Sequence, residues 1–165
     1  MDFGKKMLAA AEKAGMKVSS SVPDTWLKPV IDAFTESSEI VHAPAAREED
    51  ALGICCGAAL AGKRALCMMQ SAGALNTGGT LATLVNSYGI PLVLLISDRG
   101  HLGDVTIAHF EKARTFRPFL KALRIPHYDL TEDFLENDQL LDAFKMAEIG
   151  QKPVALLVTK KIKGD

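Results

Sequence analysis

The chain has no apolar run long enough to cross a bilayer, no excess of either charge and only three cysteines. Nineteen basic and twenty acidic residues leave a net charge of -1. That balance excludes a nucleic-acid or membrane-surface partner held by charge alone. Cys55, Cys56 and Cys67 are odd in number, sit in apolar contexts and lack zinc spacing. They read as small core residues of a reduced, cytoplasmic protein. No Gly-x-Gly-x-x-Gly follows the first strand, which excludes the dinucleotide fingerprint. No Gly-Lys-Ser/Thr follows Gln70-Ser71-Ala72-Gly73, so that stretch is not a P-loop. Ser71 stands outside any Gly-x-Ser-x-Gly elbow, which argues against a hydrolase nucleophile. The N-terminus reads as an amphipathic helix, not a signal-peptide core. With no repeat, low-complexity segment or linker, the 165 residues read as one domain.

What is present is an alternation of helical and strand patterns. Helix is expected from Asp2 to Ala14, ended by Gly15, with a strand over Met16–Ser20. Asp24 or Thr25 can cap a helix carrying Trp26, Leu27, Val30, Ile31 and Phe34. Strands are expected over Glu39–His42, Ala65–Met69, Leu92–Ser97, Pro126–Leu130 and Val154–Val158. Helices are expected from Arg47 to about Gly62, up to Tyr88, over His109–Leu123 and over Thr131–Ala147. Gln70–Asn76 and Asp98–Thr106 read as polar, glycine-bearing loops. This order implies right-handed crossovers and a doubly wound, mainly parallel six-stranded sheet with helices on both faces.

The third helix is the unusual one. Glu48, Glu49 and Asp50 head a run of small and apolar residues, Ala51 to Ala59, which reads as buried. Acids in a first turn suit the helix dipole. Gly53 and Gly57 weaken the helix, which points to close packing against another backbone. Ligands of doubly wound sheets bind beyond the carboxyl ends of the strands. Ser21–Thr25, Glu48–Asp50, Gln70–Asn76 and Asp98–His109 all follow strands and should gather there. Gln70–Gly73 opens a helix, where an anion can sit. Arg99 could hold an anionic substrate, or pair with Asp98 or Asp104. His101 and His109 share one loop.

Four segments resemble one family. Val22-Pro23-Asp24-Thr25-Trp26-Leu27-Lys28-Pro29 is similar to the Val-Pro-Asp-Ser-x-Leu-Lys-Pro loop of sulfopyruvate and phosphonopyruvate decarboxylases. Arg47-Glu48-Glu49-Asp50-Ala51 resembles their Asn/Arg-Glu-x-x-Ala stretch. Met69 to Asn76 resembles their Met-Gln-Asn-Ser-Gly-Leu-Gly-Asn loop. Leu95-Ile96-Ser97-Asp98-Arg99-Gly100 resembles their Leu-Ile-Ser-His-Arg-Gly. Order and spacing agree over nearly the whole chain. Asp98 stands where histidine is common, and the loop after Gln70 is altered.

The resemblance implies a single thiamine-diphosphate pyrimidine-binding domain over residues 1–165. It implies that Glu48 bonds the ring nitrogen N1′ of the aminopyrimidine and shares a proton with it, which makes Glu48 catalytic. Desolvation of a partly buried carboxylate would suit that exchange. His101 and His109 are the other catalytic candidates. Val22, Pro23, Gln70, Ser71, Gly73 and Asn76 would line the cofactor, and Asp24, Thr25 and Arg99 the substrate. Such enzymes hold Mg²⁺ and the diphosphate with a Gly-Asp-Gly segment and a later Asn. Gly103-Asp104-Val105 does not fit, and Gly164-Asp165 comes last. The chain would have no metal site of its own, and a partner beta subunit would carry Mg²⁺. The expected protein is the alpha subunit of a two-chain 2-keto acid decarboxylase, most closely for sulfopyruvate, self-associating through this domain. Phosphonopyruvate decarboxylation, carboligation on the same cofactor and a non-catalytic regulatory subunit are the alternatives. No nucleic acid or membrane partner is expected.

Overall fold

The computed structural model describes residues 2–102 and 104–159. Gly103, the lysine-rich tail and Gly164-Asp165 lie outside the described residues. The elements run α1 (Phe3–Lys13), β1 (Met16–Ser21), α2 (Lys28–Glu36), β2 (Val41–Pro44), α3 (Glu48–Leu60), β3 (Arg64–Gln70) and α4 (Ser71–Asn76). Then come α5 (Gly78–Thr80), which continues as a π-helical segment (Leu81–Asn86), β4 (Val93–Ser97), α6 (Ile107–Ala122), β5 (His127–Asp129), α7 (Gln139–Gly150) and β6 (Val154–Val158). The six strands form one sheet in the order β2-β1-β3-β4-β6-β5, with every pairing parallel.

Each central strand is apolar on both sides because each side has its own helical cover. Leu66 and Met68 of β3, with Val93 and Leu95 of β4, meet α1, α2 and α7. Cys67, Met69, Leu94 and Ile96 meet α3, α4, the π-helical segment and α6. β1 buries three serines. Ser19 and Ser21 bond the two ring nitrogens of His42 at 2.8 and 3.2 Å, and Ser20 donates to the Ala43 carbonyl. Their hydroxyls are thereby satisfied on the neighbouring strand. The cysteines are free and buried, as expected. Burial pushes the Cys56 thiol up to about 11 and the Cys67 thiol well above its usual range, so both stay protonated packing atoms.

Several expected boundaries move for local reasons. β2 begins at Val41 rather than Glu39 because Ser37 Oγ accepts from the Glu39 and Ile40 N–H groups, making a turn there. α2 begins at Lys28, with Pro29 in its first turn, because Asp24 Oδ1 holds the Trp26 and Leu27 N–H groups in a turn before it. α7 begins at Gln139 rather than Thr131, because Asp138 is left-handed (φ 54°). The expected Gln70–Asn76 loop is in fact the end of β3 followed by α4. The expected burial of α3 holds on one side only. Ala51, Leu52, Cys55 and Cys56 are buried, while Gly53, Ile54, Gly57 and Leu60 are exposed. Outside the helix's own backbone, no atom of the described residues would lie within 4 Å of a Cβ at Gly53 or Gly57. The close backbone packing expected at those glycines is thus not found among the described residues.

Candidate active site

Parallel pairing puts the ends of β1, β2, β3 and β4 on one edge, and Asp24 ties three of the exits together. Its side chain is almost fully buried. Oδ1 accepts from the Trp26 and Leu27 N–H groups, each at 2.9 Å, which closes the turn before α2. Oδ2 accepts from Arg99 Nη2 at 2.6 Å and from Gln70 Nε2 at 3.3 Å. Arg99 also donates to Thr25 Oγ1 at 3.0 Å and stacks 4.3 Å from the Trp26 ring centroid. Its Nε is buried without a partner among the described residues. Arg99 therefore pairs with neither Asp98 nor Asp104, the two acids expected. The Arg99 N–H approaches Ser71 Oγ at 3.4 Å, which links the β4 exit to α4.

Glu48 is the first residue of α3 and is half-buried. Its side chain lies over Gly73 of α4. A Cβ on Gly73 would come within 2.5 Å of the Glu48 Cγ and carboxyl carbon, and nearer still to Oε1. Only glycine leaves the carboxylate where it is. Glu49 instead forms an ion pair with Arg47 at 3.6 Å, and Asp50 is exposed. Of the three acids at the helix mouth, Glu48 alone has a cradle built for it.

Beyond β4 the chain splits between the two faces. Arg99 goes to Trp26, whereas the fully buried Asp98 turns toward α6. Asp98 Oδ2 lies 2.8 Å from His101 Nε2 and accepts from Arg117 Nε at 3.0 Å. Arg117 Nη2 reaches on to Asp129 at 2.5 Å. Burial opposes the Arg117 charge, but its bonds to Asp129 and Asp98 outweigh that and raise its pKa. Gly100 has φ 89°, and a Cβ there would lie 2.7 Å from the His109 carbonyl carbon. His109 lies in the first turn of α6 rather than in a loop, and its Nδ1 is 2.7 Å from Asp104 Oδ2. The Thr106 N–H, the His109 ring and the Gly100 N–H hold the Asp104 carboxyl down at about 2.

The edge thus brings together Glu48 with Gly73, and Asp24 with Thr25, Gln70, Arg99 and Ser71. Val22 is half-buried, Pro23 is exposed, and Asn76 sits exposed at the far end of α4. Sequence reasoning missed Trp26 as the stacking plate for Arg99, Arg117 as the partner of Asp98, and His42 beside Ser19 and Ser21. Burial lowers the His42 pKa. Only Asp98 carried a signal, as a departure from the family motif. Among the described residues no three His, Cys, Asp or Glu side chains cluster as metal ligands, and no helix is long and apolar enough to cross a membrane.

No family model matches the chain. It is 32% identical over 126 residues to the sulfopyruvate decarboxylase subunit alpha of Methanothermobacter thermautotrophicus, covering 76% of each chain. It is 28% identical to the subunit of the same name from Methanococcus maripaludis, covering 96% of this chain and 95% of that one. A sulfopyruvate decarboxylase of Methanosarcina acetivorans is 26% identical over 96% of this chain, which spans only 40% of that longer protein. Among solved structures, a 2-oxoglutarate:ferredoxin oxidoreductase from Magnetococcus marinus superposes with a TM-score of 0.74 at 17% identity, over 99% of this chain and 30% of that one. That likeness bears on the fold, and it agrees with the α/β parallel sheet expected. The sequence relatives go further: the chain belongs to the sulfopyruvate decarboxylase alpha-subunit family.

Proposed function

We propose that this chain is the alpha subunit of a two-chain, thiamine-diphosphate-dependent decarboxylase that converts sulfopyruvate to sulfoacetaldehyde and carbon dioxide. Its share of the site is the wall that meets the aminopyrimidine ring. The observation that carries this reading is Glu48 lying over Gly73 at the mouth of α3. A flat heteroaromatic ring fits that donor set, with one half-buried carboxylate beside a floor of small residues, Ser71, Ala72 and Gly73.

Thiamine diphosphate, once bound, supplies an electron sink for the pair left when the carboxylate departs. The chain's own residues have simpler tasks. Glu48 would accept and return a proton at the pyrimidine ring nitrogen. Gly73 keeps room for that carboxylate. Gln70 and Ser71 brace the ring wall through Asp24 and the Arg99 backbone. Arg99 offers its unpartnered Nε to the sulfonate, with Asp24 and Trp26 fixing the guanidinium. Thr25 flanks it.

Mg²⁺ and the diphosphate fall to a beta subunit on this reading. The longer Methanosarcina relative supports that division, since this chain matches only 40% of it. The exposed stripe of Gly53, Ile54, Gly57 and Leu60 on α3 is where we place self-association. The test is co-expression with a partner chain carrying a Gly-Asp-Gly segment, followed by carbon dioxide release from sulfopyruvate, phosphonopyruvate and pyruvate. Sulfopyruvate should be turned over with the highest kcat/KM. Preference for a carbon-only keto acid would overturn the substrate, and no release from any of the three would overturn the reaction.

A further inference from the structure

Asp98 is the least economical residue of the site. Its side chain is fully buried, yet Oδ1 has no partner among the described residues. An unpaired oxygen on a buried carboxylate costs stability. Oδ2 is held between His101 Nε2 and Arg117 Nε, and Arg117 is itself tied to Asp129 on the edge strand. Gly100, between Asp98 and His101, is left-handed and pressed against the start of α6. The carboxylate that holds the imidazole and the backbone that carries it are thereby both fixed. Its side chain is nonetheless 35% exposed, at an open groove shared with Phe110, Glu111 and Arg114. A ring bonded to a carboxylate through one nitrogen has its tautomer set, and the other nitrogen is left to work. His109 is the weaker candidate, because its side chain is only 15% exposed and its partner Asp104 is occupied in closing the loop.

We propose that Asp98 is a positioning residue that holds His101, and that His101 delivers the proton the decarboxylation consumes. The inference rests on the decarboxylase reading above. Conversion of a 2-keto acid to an aldehyde and carbon dioxide breaks one carbon–carbon bond. The electron pair stays with the former keto carbon, which takes up one proton. On that reading Glu48 serves the cofactor ring, and the proton is left to another donor. The His101 imidazolium gives it from Nδ1, which leaves the neutral ring with its proton on Nε2 toward Asp98, and Nδ1 is reprotonated from solvent through the exposed edge.

The test uses the enzyme assembled with its partner, and in parallel this chain by itself. His101→Ala should lower kcat about a hundredfold, in the range of general acid catalysis, with KM little changed, and added imidazole should restore part of the rate. Asp98→Asn should lower kcat about tenfold without response to imidazole. By nitrogen-15 NMR, the neutral His101 ring of the wild-type chain should carry its proton on Nε2, and Asp98→Asn should mix the tautomers. His101→Ala at the wild-type rate, a loss that imidazole leaves untouched, or a wild-type ring protonated on Nδ1 would each overturn the inference and leave the decarboxylase reading standing. A wild-type assembly that releases no carbon dioxide from any 2-keto acid would remove the reading and the inference together.

Discussion

Glu48 and Gly73 form a pair in which each fixes the other's identity, and the two can be tested separately. Glu48→Gln keeps shape and polarity but cannot exchange a proton. In the assembled enzyme it should lower turnover at least about a hundredfold with the fold intact by circular dichroism. Glu49→Gln should be mild, and an equal loss there would mean the motif is set one residue off. Gly73→Ala works from the other side. The three atoms nearest the added methyl all belong to the flexible Glu48 side chain, and alanine suits a helix better than glycine. Stability should therefore change by less than about 1 kcal/mol, while the displaced carboxylate costs about tenfold or more in turnover. Urea unfolding and carbon dioxide release on the same sample separate the two effects. Arg99→Ala tests the substrate side. It should raise KM for sulfopyruvate more than for pyruvate, whereas equal increases would leave Arg99 as the structural partner of Asp24 alone.

The elements show where a sequence speaks and where it does not. β4 and β6 were legible as unbroken apolar runs because both faces are covered. The glycine end of α1 and the acid-headed α3 were legible from their termini. α4 was not, because Gly73 reads as a breaker when the carboxylate that demands it lies 25 residues earlier (73 − 48). The bond from Asp24 to Arg99 spans 75 residues, and no local pattern encodes it. The loop between β4 and α6 offers a test at this scale. Asp104 has a folded-state pKa of about 2 against an ordinary 3.8. A depressed carboxylate contributes stability that is present above its unfolded pKa and is lost as pH falls from about 4 through about 2. Urea denaturation across that window should show the wild type losing a stability increment that Asp104→Asn never had, so the two curves converge near pH 2. Parallel curves would show that Asp104 does not staple the loop.

At the scale of the whole molecule, one sheet brings its functional residues to a single edge and leaves nearby apolar surface uncovered. Leu102, Val105 and Ile107 are almost entirely exposed beside Phe110, and the glycine stripe of α3 faces outward as well. Such surfaces mark places where another chain sits. The described residues provide one carboxylate cradle and no cluster of metal ligands. On the proposed function the cofactor site is divided, with the ring wall here and the diphosphate and Mg²⁺ on the partner. Calorimetric titration of thiamine diphosphate with Mg²⁺ into this chain, without and with its partner, tests that claim directly. Stoichiometric binding and sulfopyruvate decarboxylation should appear only with the partner present, and tight stoichiometric binding with decarboxylation by this chain alone would contradict the account.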